Sequence, residues 1–139
     1  MFKDGRLGKK NSKGFYKYEV KNGKTKKAGI DPEAYNYFKG KGDQQLALAE
    51  VQDRAVLLML NEAVMCLEDG ILANAADGNI AAVFGIGFLP FTGGPFRYIN
   101  QLGAATVVSR MEALQAKYGP KFAPRPLLVE YAKTGKRFE

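Results

Sequence analysis

This chain of 139 residues lacks residue types on which common catalytic and metal sites depend, and this excludes several classes of enzyme. It contains no histidine and a single cysteine, Cys66. Ser-His-Asp catalysis, Cys-His catalysis and histidine-ligated zinc all need histidine, and one thiol cannot form a cysteine zinc site. An independent enzyme would have to use carboxylates, lysines or tyrosines. We therefore predict no catalytic residue and no metal site in this chain.

The segment from Gly85 to Arg97 has the most distinctive composition, because four glycines and two prolines separate three phenylalanines. Glycine permits positive φ and close backbone approach, and proline fixes φ and stops a helix. The pattern predicts a tight, partly buried corner with its aromatic rings turned inward. The candidate structural or interface residues here are Gly85, Gly87, Phe88, Pro90, Phe91, Gly93, Gly94, Pro95, Phe96, Arg97 and Tyr98.

Three features in and near this corner have a functional and a structural interpretation. Gly85-Ile86-Gly87 follows a helix and lacks a third glycine three residues later, which argues against a phosphate-binding loop. Asn61 and Glu62 could point into an active site, but we favour a role in satisfying backbone groups at a neighbouring corner. Arg97 could pair with a phosphate, but we favour bonds to carbonyls or carboxylates around the corner.

The basic residues are concentrated in the first third of the chain. Residues 1–42 carry 12 Lys/Arg and 4 Asp/Glu, a net charge of +8, while the remaining residues carry 9 and 10, a net charge of −1. One interpretation is an arm that follows phosphates on nucleic acid, with Tyr16, Tyr18, Tyr35 and Tyr37 available for stacking. We favour the other, a solvated lysine-rich linker in an extended arm.

Proline, glycine and capping residues predict the elements. Residues 15–20 suit a short extended segment, Asn22-Gly23 a turn, and Asp31-Pro32 the start of a short helix over 32–38 that Gly40 and Gly42 end. A long central helix from Asp43 to about Asp69, apolar on nearly every side, should carry a Glu50–Arg54 pair. Further helices are predicted from Asn74 to Phe84, from Pro95 to Gly103, over Ala104–Tyr118, and from Pro126 to Gly135.

Three stretches carry a resemblance to the C-terminal region of the 3-hydroxyacyl-CoA dehydrogenase family, specifically its long multifunctional members. The first is residues 6–18, Arg-Leu-Gly-Lys-Lys-Asn-Ser-Lys-Gly-Phe-Tyr-Lys-Tyr. The second joins Leu60-Asn61-Glu62-Ala63 to Leu67-Glu68-Asp69-Gly70-Ile71, and the third is the corner from Gly85 to Tyr98. In this order they resemble the tail of one C-terminal domain followed by a second copy of that domain.

The resemblance implies an all-α, helical dehydrogenase C-terminal-domain-like bundle with an extended basic N-terminal arm. Residues 1–42 would be the tail of a preceding C-domain plus a lysine-rich linker, and residues 43–139 the second C-domain. The parent enzyme would act in fatty-acid β-oxidation, hydrating enoyl-CoA and oxidising 3-hydroxyacyl-CoA with NAD, a cofactor expected in the parent and not in this chain. Its partners would be the preceding dehydrogenase domains, with a thiolase subunit as a further candidate.

Two positions depart from the family pattern. Asp53-Arg54 stands where the first C-domain has an asparagine beside an arginine, and Asn79 stands where the second copy often has an acidic residue. The departure at Asp53-Arg54 argues against direct substrate contact there, and the role that the resemblance implies is packing. The residues predicted to pack are Leu60, Met65, Phe84, Phe88, Phe91, Phe96 and Tyr98.

The sequence also leads to expectations about the cellular location of the protein and about an alternative function. Met1 to Gly5 lack a secretory signal, and the uncharged run from Gly78 to Phe96 holds too many glycines and prolines for a membrane helix. Cys66 fits a buried thiol in a reducing compartment, so we predict a cytoplasmic setting. The alternative to the dehydrogenase domain is a small basic protein that binds nucleic acid or another anionic surface through residues 1–42.

Overall fold

The computed structural model describes residues 1–38 and 45–139. The chain divides into two compact units, unit 1 (Met1–Gln45) and unit 2 (Leu46–Glu139). The described residues are mostly helical, as predicted, but they include a small two-stranded sheet, so the chain is not strictly all-α. The predicted boundary after residue 42, the predicted cap Asp43 and the predicted stops Gly40 and Gly42 lie outside the described residues.

Unit 1 contains an antiparallel hairpin, so the predicted extended arm is wrong for its described residues. Strand β1 (Tyr16–Lys21) pairs with strand β2 (Lys24–Ile30), with a bulge between Lys17 and Tyr18. The predicted turn at Asn22-Gly23 joins the strands, and both turn residues have the positive φ that a type I′ hairpin requires. Strand β2 escapes sequence-based prediction because lysine and glycine are uncommon in strands.

A buried ion pair organises unit 1. The Arg6 side chain is 7% exposed and donates to the carbonyl of Gly14 at 2.7 Å, to Asp31, and to Glu33 at 3.2 Å. The hydrogen bond from Arg6 lowers the pKa of Asp31, which also caps the 3₁₀ helix Pro32–Tyr37. Since Ala34 is the one buried apolar side chain among the described residues of this unit, polar contacts replace a hydrophobic core here.

The long helix α1 (Leu48–Glu68) begins later than predicted, after residues 45–47, which are not helical. Its fully buried side chains are Leu57, Leu60 and Val64, which form a single stripe. The prediction of a helix surrounded on nearly every side is therefore wrong. The apolar residues on its other sides are left half-buried or exposed, and Cys66, predicted to be buried, is half-buried.

Helix α2 (Ala75–Ile86) begins at Asn74, as predicted, where the Asn74 side chain accepts a hydrogen bond from the backbone N–H of Asp77 at 2.8 Å. The helix continues past its predicted end at Phe84 and includes Gly85 in its last turn. Gly87, with φ of 70°, ends it. The 3₁₀ turn Pro90–Thr92 then leads into the next helix.

The last three α-helices begin and end where predicted. They are α3 (Pro95–Leu102), α4 (Ala104–Tyr118) and α5 (Pro126–Thr134). Proline opens α3 and α5 because the first turn of a helix leaves its N–H groups free in any case. One stripe of α4 faces the core, with Val107, Met111 and Leu114 buried and Tyr118 half-buried.

The core of unit 2 lies where α1, α3, α4 and α5 meet. Its fully buried large side chains are Leu57, Leu60, Val64, Phe96, Ile99, Val107, Met111, Phe122 and Leu128. Phe138, near the end of the chain, packs on Phe96 and Tyr131 with ring centres 5.2 and 4.5 Å apart. No helix among the described residues is long and apolar enough to cross a membrane.

The close approach of α2 and the start of α3 generates a first prediction. A Cβ atom on Gly94 would lie 2.5 Å from Oδ1 and 2.7 Å from Cα of Asn79, and Gly94 has φ of 109°. Because both the space and the backbone conformation exclude a β-branched residue, we expect Gly94→Val to lower the free energy of unfolding by about 3 kcal/mol or more. Urea denaturation followed by circular dichroism measures this.

Gly85→Ala is the matched control. Its Cβ would meet nothing within 4 Å, and Gly85 lies inside α2. Alanine should leave stability unchanged or raise it by about 0.5–1 kcal/mol, because glycine is the poorer helix former. Equal urea midpoints for Gly94→Val and the unaltered chain would contradict the tight helix crossing.

Candidate functional site

Asn79 of α2 holds the corner together. It is 8% exposed, and its Oδ1 accepts hydrogen bonds from the backbone N–H groups of Phe96 at 2.9 Å and Arg97 at 3.3 Å. These N–H groups belong to the first turn of α3, where no backbone acceptor is available. Asn79 therefore caps a helix from a neighbouring helix, and Gly94 makes room for it.

The aromatic residues of the corner do not all turn inward. Phe88 and Phe96 are buried and Tyr98 is half-buried, in line with the predicted packing. Phe91 is 83% exposed, so the prediction that the aromatic rings of the corner turn inward is wrong for Phe91. Phe84 is 85% exposed, so it does not pack within unit 2, and its packing against another domain stays a prediction. Phe91 lies in the 3₁₀ turn and Phe84 lies on a side of α2 that faces solvent. Of the other residues predicted to pack, Leu60 is fully buried and Met65 is half-buried.

Polar contacts close the corner at its other end. The Thr92 hydroxyl donates to the carbonyl of Leu89 at 2.6 Å, and Gln101 donates to the carbonyl of Thr92 at 3.2 Å. Arg97 lies against Gly93, but within the described residues its guanidinium bonds neither a carbonyl nor a carboxylate. The structural role that we favoured for Arg97 therefore finds no support, and its side chain is exposed to solvent.

The glycine pair at the end of α2 does not fit a dinucleotide. Gly85 and Gly87 lie at the C-terminal end of the helix, where carbonyl groups are free and the helix dipole is negative. A pyrophosphate needs N–H groups at a helix N-terminus. Gly85 and Gly87 therefore do not form the phosphate-binding loop that a dinucleotide needs.

Asn61 occupies a structural position and Glu62 does not. The Asn61 amide donates to the carbonyl of Ala123 at 3.0 Å and accepts from the N–H of Arg125 at 2.9 Å. These are the backbone groups of a neighbouring corner, the role that we favoured from the sequence. Glu62 is exposed and makes no hydrogen bond within the described residues.

Glu68 on α1 also caps a neighbouring helix, in this case α5. Its carboxylate accepts from the N–H of Leu127 and from Nε of Arg125, both at 2.5 Å. Leu127 lies in the first turn of α5, whose N-terminus attracts negative charge. Asn61 and Glu68, both on α1, thus fix the loop before α5 and its first turn.

Glu50 and Lys117, which lie together on unit 2, stabilise each other in their charged forms. Glu50 accepts from Nζ of Lys117 at 2.7 Å and from the Tyr118 hydroxyl. These hydrogen bonds lower the pKa of Glu50, and the carboxylate raises the pKa of Lys117. Neither group is therefore poised to exchange a proton near neutral pH. The predicted Glu50–Arg54 ion pair is not observed. The Arg54 guanidinium instead lies over the Tyr118 ring, with its Cζ 4.4 Å from the ring centre.

Two grooves flank α2. The arginine groove, about 880 Å³, is lined by Ile80, Val83, Phe84, Arg97, Arg137 and Phe138 among others. The α1–α2 groove, about 490 Å³, is lined by Leu58, Met59, Glu62, Ala63, Cys66 and Ile86 among others. Every other residue of the second lining is apolar or glycine, so Glu62 is its one charged group.

The comparison with known families leaves the family open, since no family model matches this sequence. Within residues 1–38 and 45–139, no group of three or more His, Cys, Asp or Glu side chains could hold a metal ion. The candidate site is therefore a set of surfaces and capped helix ends. It contains no assembled nucleophile, base or ligand set in the part of the chain that the structure describes.

Several residues that organise the site are not identified as such from the sequence. Asn79, Glu68 and Asn100 each bond backbone groups far away in the chain. Capping rules apply to neighbours within about four residues, so they do not find such pairs. Asn79 is noted from the sequence only as a departure from the family pattern.

The position of Asn61 generates a second prediction. Asn61→Ala removes the partner of one carbonyl and one N–H group at the corner before α5. We expect the free energy of unfolding to fall by about 1–3 kcal/mol, because both backbone groups lose their partner in a half-buried place. Urea denaturation measures the loss.

Glu62→Ala is the matched control, since it changes the next residue of the same helix. Its side chain is exposed and unbonded among the described residues, so stability should stay within about 0.5 kcal/mol of the unaltered chain. If the two variants unfold at the same urea concentration, Asn61 does not hold the corner.

Proposed function

We propose that this chain is a non-catalytic helical domain of a multifunctional fatty-acid β-oxidation enzyme of the 3-hydroxyacyl-CoA dehydrogenase type. Its role is to pack against the preceding dehydrogenase domains and hold the catalytic unit in place. NAD binding, enoyl-CoA hydration and 3-hydroxyacyl-CoA oxidation belong to the parent, and the cytoplasm is its proposed location. The three stretches that resemble the family support this proposal, with the corner from Gly85 to Tyr98 as the most specific of them.

The observation that carries the proposal is the α1–α2 groove. It combines apolar lining residues on α1 and α2 with an Ile86 side chain that is 71% exposed. An apolar groove rimmed by exposed apolar side chains is typical of a surface that another protein element covers. In the proposal, that element is a helix of the preceding C-domain.

The polar side chains of unit 2 that the structure describes form no catalytic set, which supports the same role. Asn61 and Glu68 are occupied in capping, and Glu50 is held charged by Lys117 and Tyr118. Asp53 pairs with Arg110 at 3.2 Å and is not free to bind a substrate. The polar side chains of unit 2 that converge are thus engaged in holding helices together.

The proposal is tested by complementation. The NAD-binding domain and first C-domain of a parent enzyme are expressed alone, and NADH formation from 3-hydroxyacyl-CoA is measured with and without this chain. We expect no activity from this chain alone and a rise of activity on mixing, because the added domain stabilises the catalytic unit. Gel filtration of the mixture should show a complex.

A surface variant locates the contact. Ile86→Lys places a charge in the α1–α2 groove and should abolish both complex formation and the rise in activity. Ile71→Lys is the matched control, because Ile71 is 70% exposed but does not line the groove. If the unaltered chain neither associates nor raises activity, the proposal fails, and binding of anionic polymers by unit 1 becomes the function to examine.

A further inference from the structure

Unit 2 contains five arginines, and two of them lack a side-chain partner within the described residues. The partnered arginines are Arg54 over the Tyr118 ring, Arg110 with Asp53, and Arg125 with Glu68. The other two, Arg97 and Arg137, both line the arginine groove. The fork of N–H donors on a guanidinium matches the oxygens of a carboxylate or phosphate, so each of these two arginines is suited to bind an anion.

An apolar wall faces the same groove. Ile80, Val83 and Phe84 project from α2 at spacings of three and four residues, which places them on one side of the helix. Ile80 and Phe84 are exposed, and Pro90 extends the apolar lining at the corner. The groove therefore joins a strip of apolar surface to two cations.

The residues that present the arginines are fixed in place. Arg97 lies in the first turn of α3, where Asn79 caps its backbone N–H. Asn100 donates to the carbonyl of Phe138 at 2.7 Å and accepts from its N–H at 3.0 Å, so the residue after Arg137 is held on both sides. The Phe138 ring packs on Phe96 in the core.

We propose that the arginine groove binds an amphiphilic anion, a small molecule with an apolar chain and a terminal phosphate or carboxylate group. The chain lies along Ile80, Val83 and Phe84, and Arg97 and Arg137 hold the anionic group. Glu139 also lines the groove, so its charged side chains sum to one net positive charge, which favours an anionic headgroup. Neither Asn100 nor Gln101 is needed, because both amides already bond backbone groups.

This site is independent of the role proposed above. The arginine groove uses Ile80, Val83 and Phe84 of α2, whereas the α1–α2 groove uses other residues of that helix, among them Ala82 and Ile86. The two grooves share no lining residue. Binding is measured on the chain alone, so the outcome does not depend on complementation.

The test titrates the full chain with decyl phosphate and with decanoate, each below its micelle concentration, and follows amide shifts by nuclear magnetic resonance. We expect saturable binding with the largest shifts at α2, α3 and residues 137–139. The two probes separate a phosphate headgroup from a carboxylate headgroup. Inorganic phosphate should bind at least tenfold more weakly, because it makes no apolar contact.

Variants divide the site into its two halves. Arg97→Gln and Arg137→Gln should each weaken binding of the anionic probes about tenfold, the value of one charge-assisted hydrogen bond. Phe84→Ser should weaken binding by about the same factor, because it removes an apolar contact with the alkyl chain of the probe. All three side chains are exposed, so the fold should persist. Lys133→Gln is the matched control, since it removes an exposed cation outside the groove, and should change affinity less than twofold.

Several outcomes overturn the proposal. One is no saturable binding of either anionic probe. A second is equal binding of decyltrimethylammonium, which would show a purely apolar contact. A third is inorganic phosphate that binds as tightly as decyl phosphate, since the apolar wall would then contribute nothing. A fourth is an equal loss in Lys133→Gln and Arg97→Gln, which would show non-specific attraction of anions.

Discussion

The fold of unit 2 depends on one buried amide. Asn79 bridges α2 to the first turn of α3 through two backbone N–H groups, and the absence of a side chain at Gly94 lets the helices approach closely enough for the bridge. A buried amide without partners costs about 1–3 kcal/mol, so the contact is specific as well as stabilising. Phe96, whose N–H is one of these two groups, lies at the start of α3 and is fully buried.

The same device recurs around the helical unit. Asn61 and Glu68 fix the entry to α5, and Asn100 holds the backbone of Phe138. Distant side chains thus supply hydrogen-bond partners for these backbone groups. Apolar side chains of α2 line both the arginine groove and the α1–α2 groove. Those two surfaces are the basis of both proposals, one for a protein partner and one for a small amphiphilic anion.

Local rules account for most of the secondary structure. Proline and glycine place α3, α4 and α5, and Asn74 places the start of α2, because these signals act within a few residues. Burial is predicted less well. The outward Phe84 and Phe91 and the one-sided burial of α1 depend on which elements pack together, which composition does not determine. Local sequence patterns also fail to predict the helix caps supplied by distant residues and the lysine-rich strand β2.

The central claim, that Asn79 holds the crossing of α2 and α3, is tested most directly by hydrogen exchange at the backbone amides of Phe96 and Arg97. In Asn79→Ala these two amides should exchange about tenfold faster or more, because each loses its acceptor. Asn79→Asp should keep their protection, since a carboxylate oxygen accepts the same two bonds at a helix N-terminus. Unchanged protection in Asn79→Ala, or equal loss in both variants, would contradict the account.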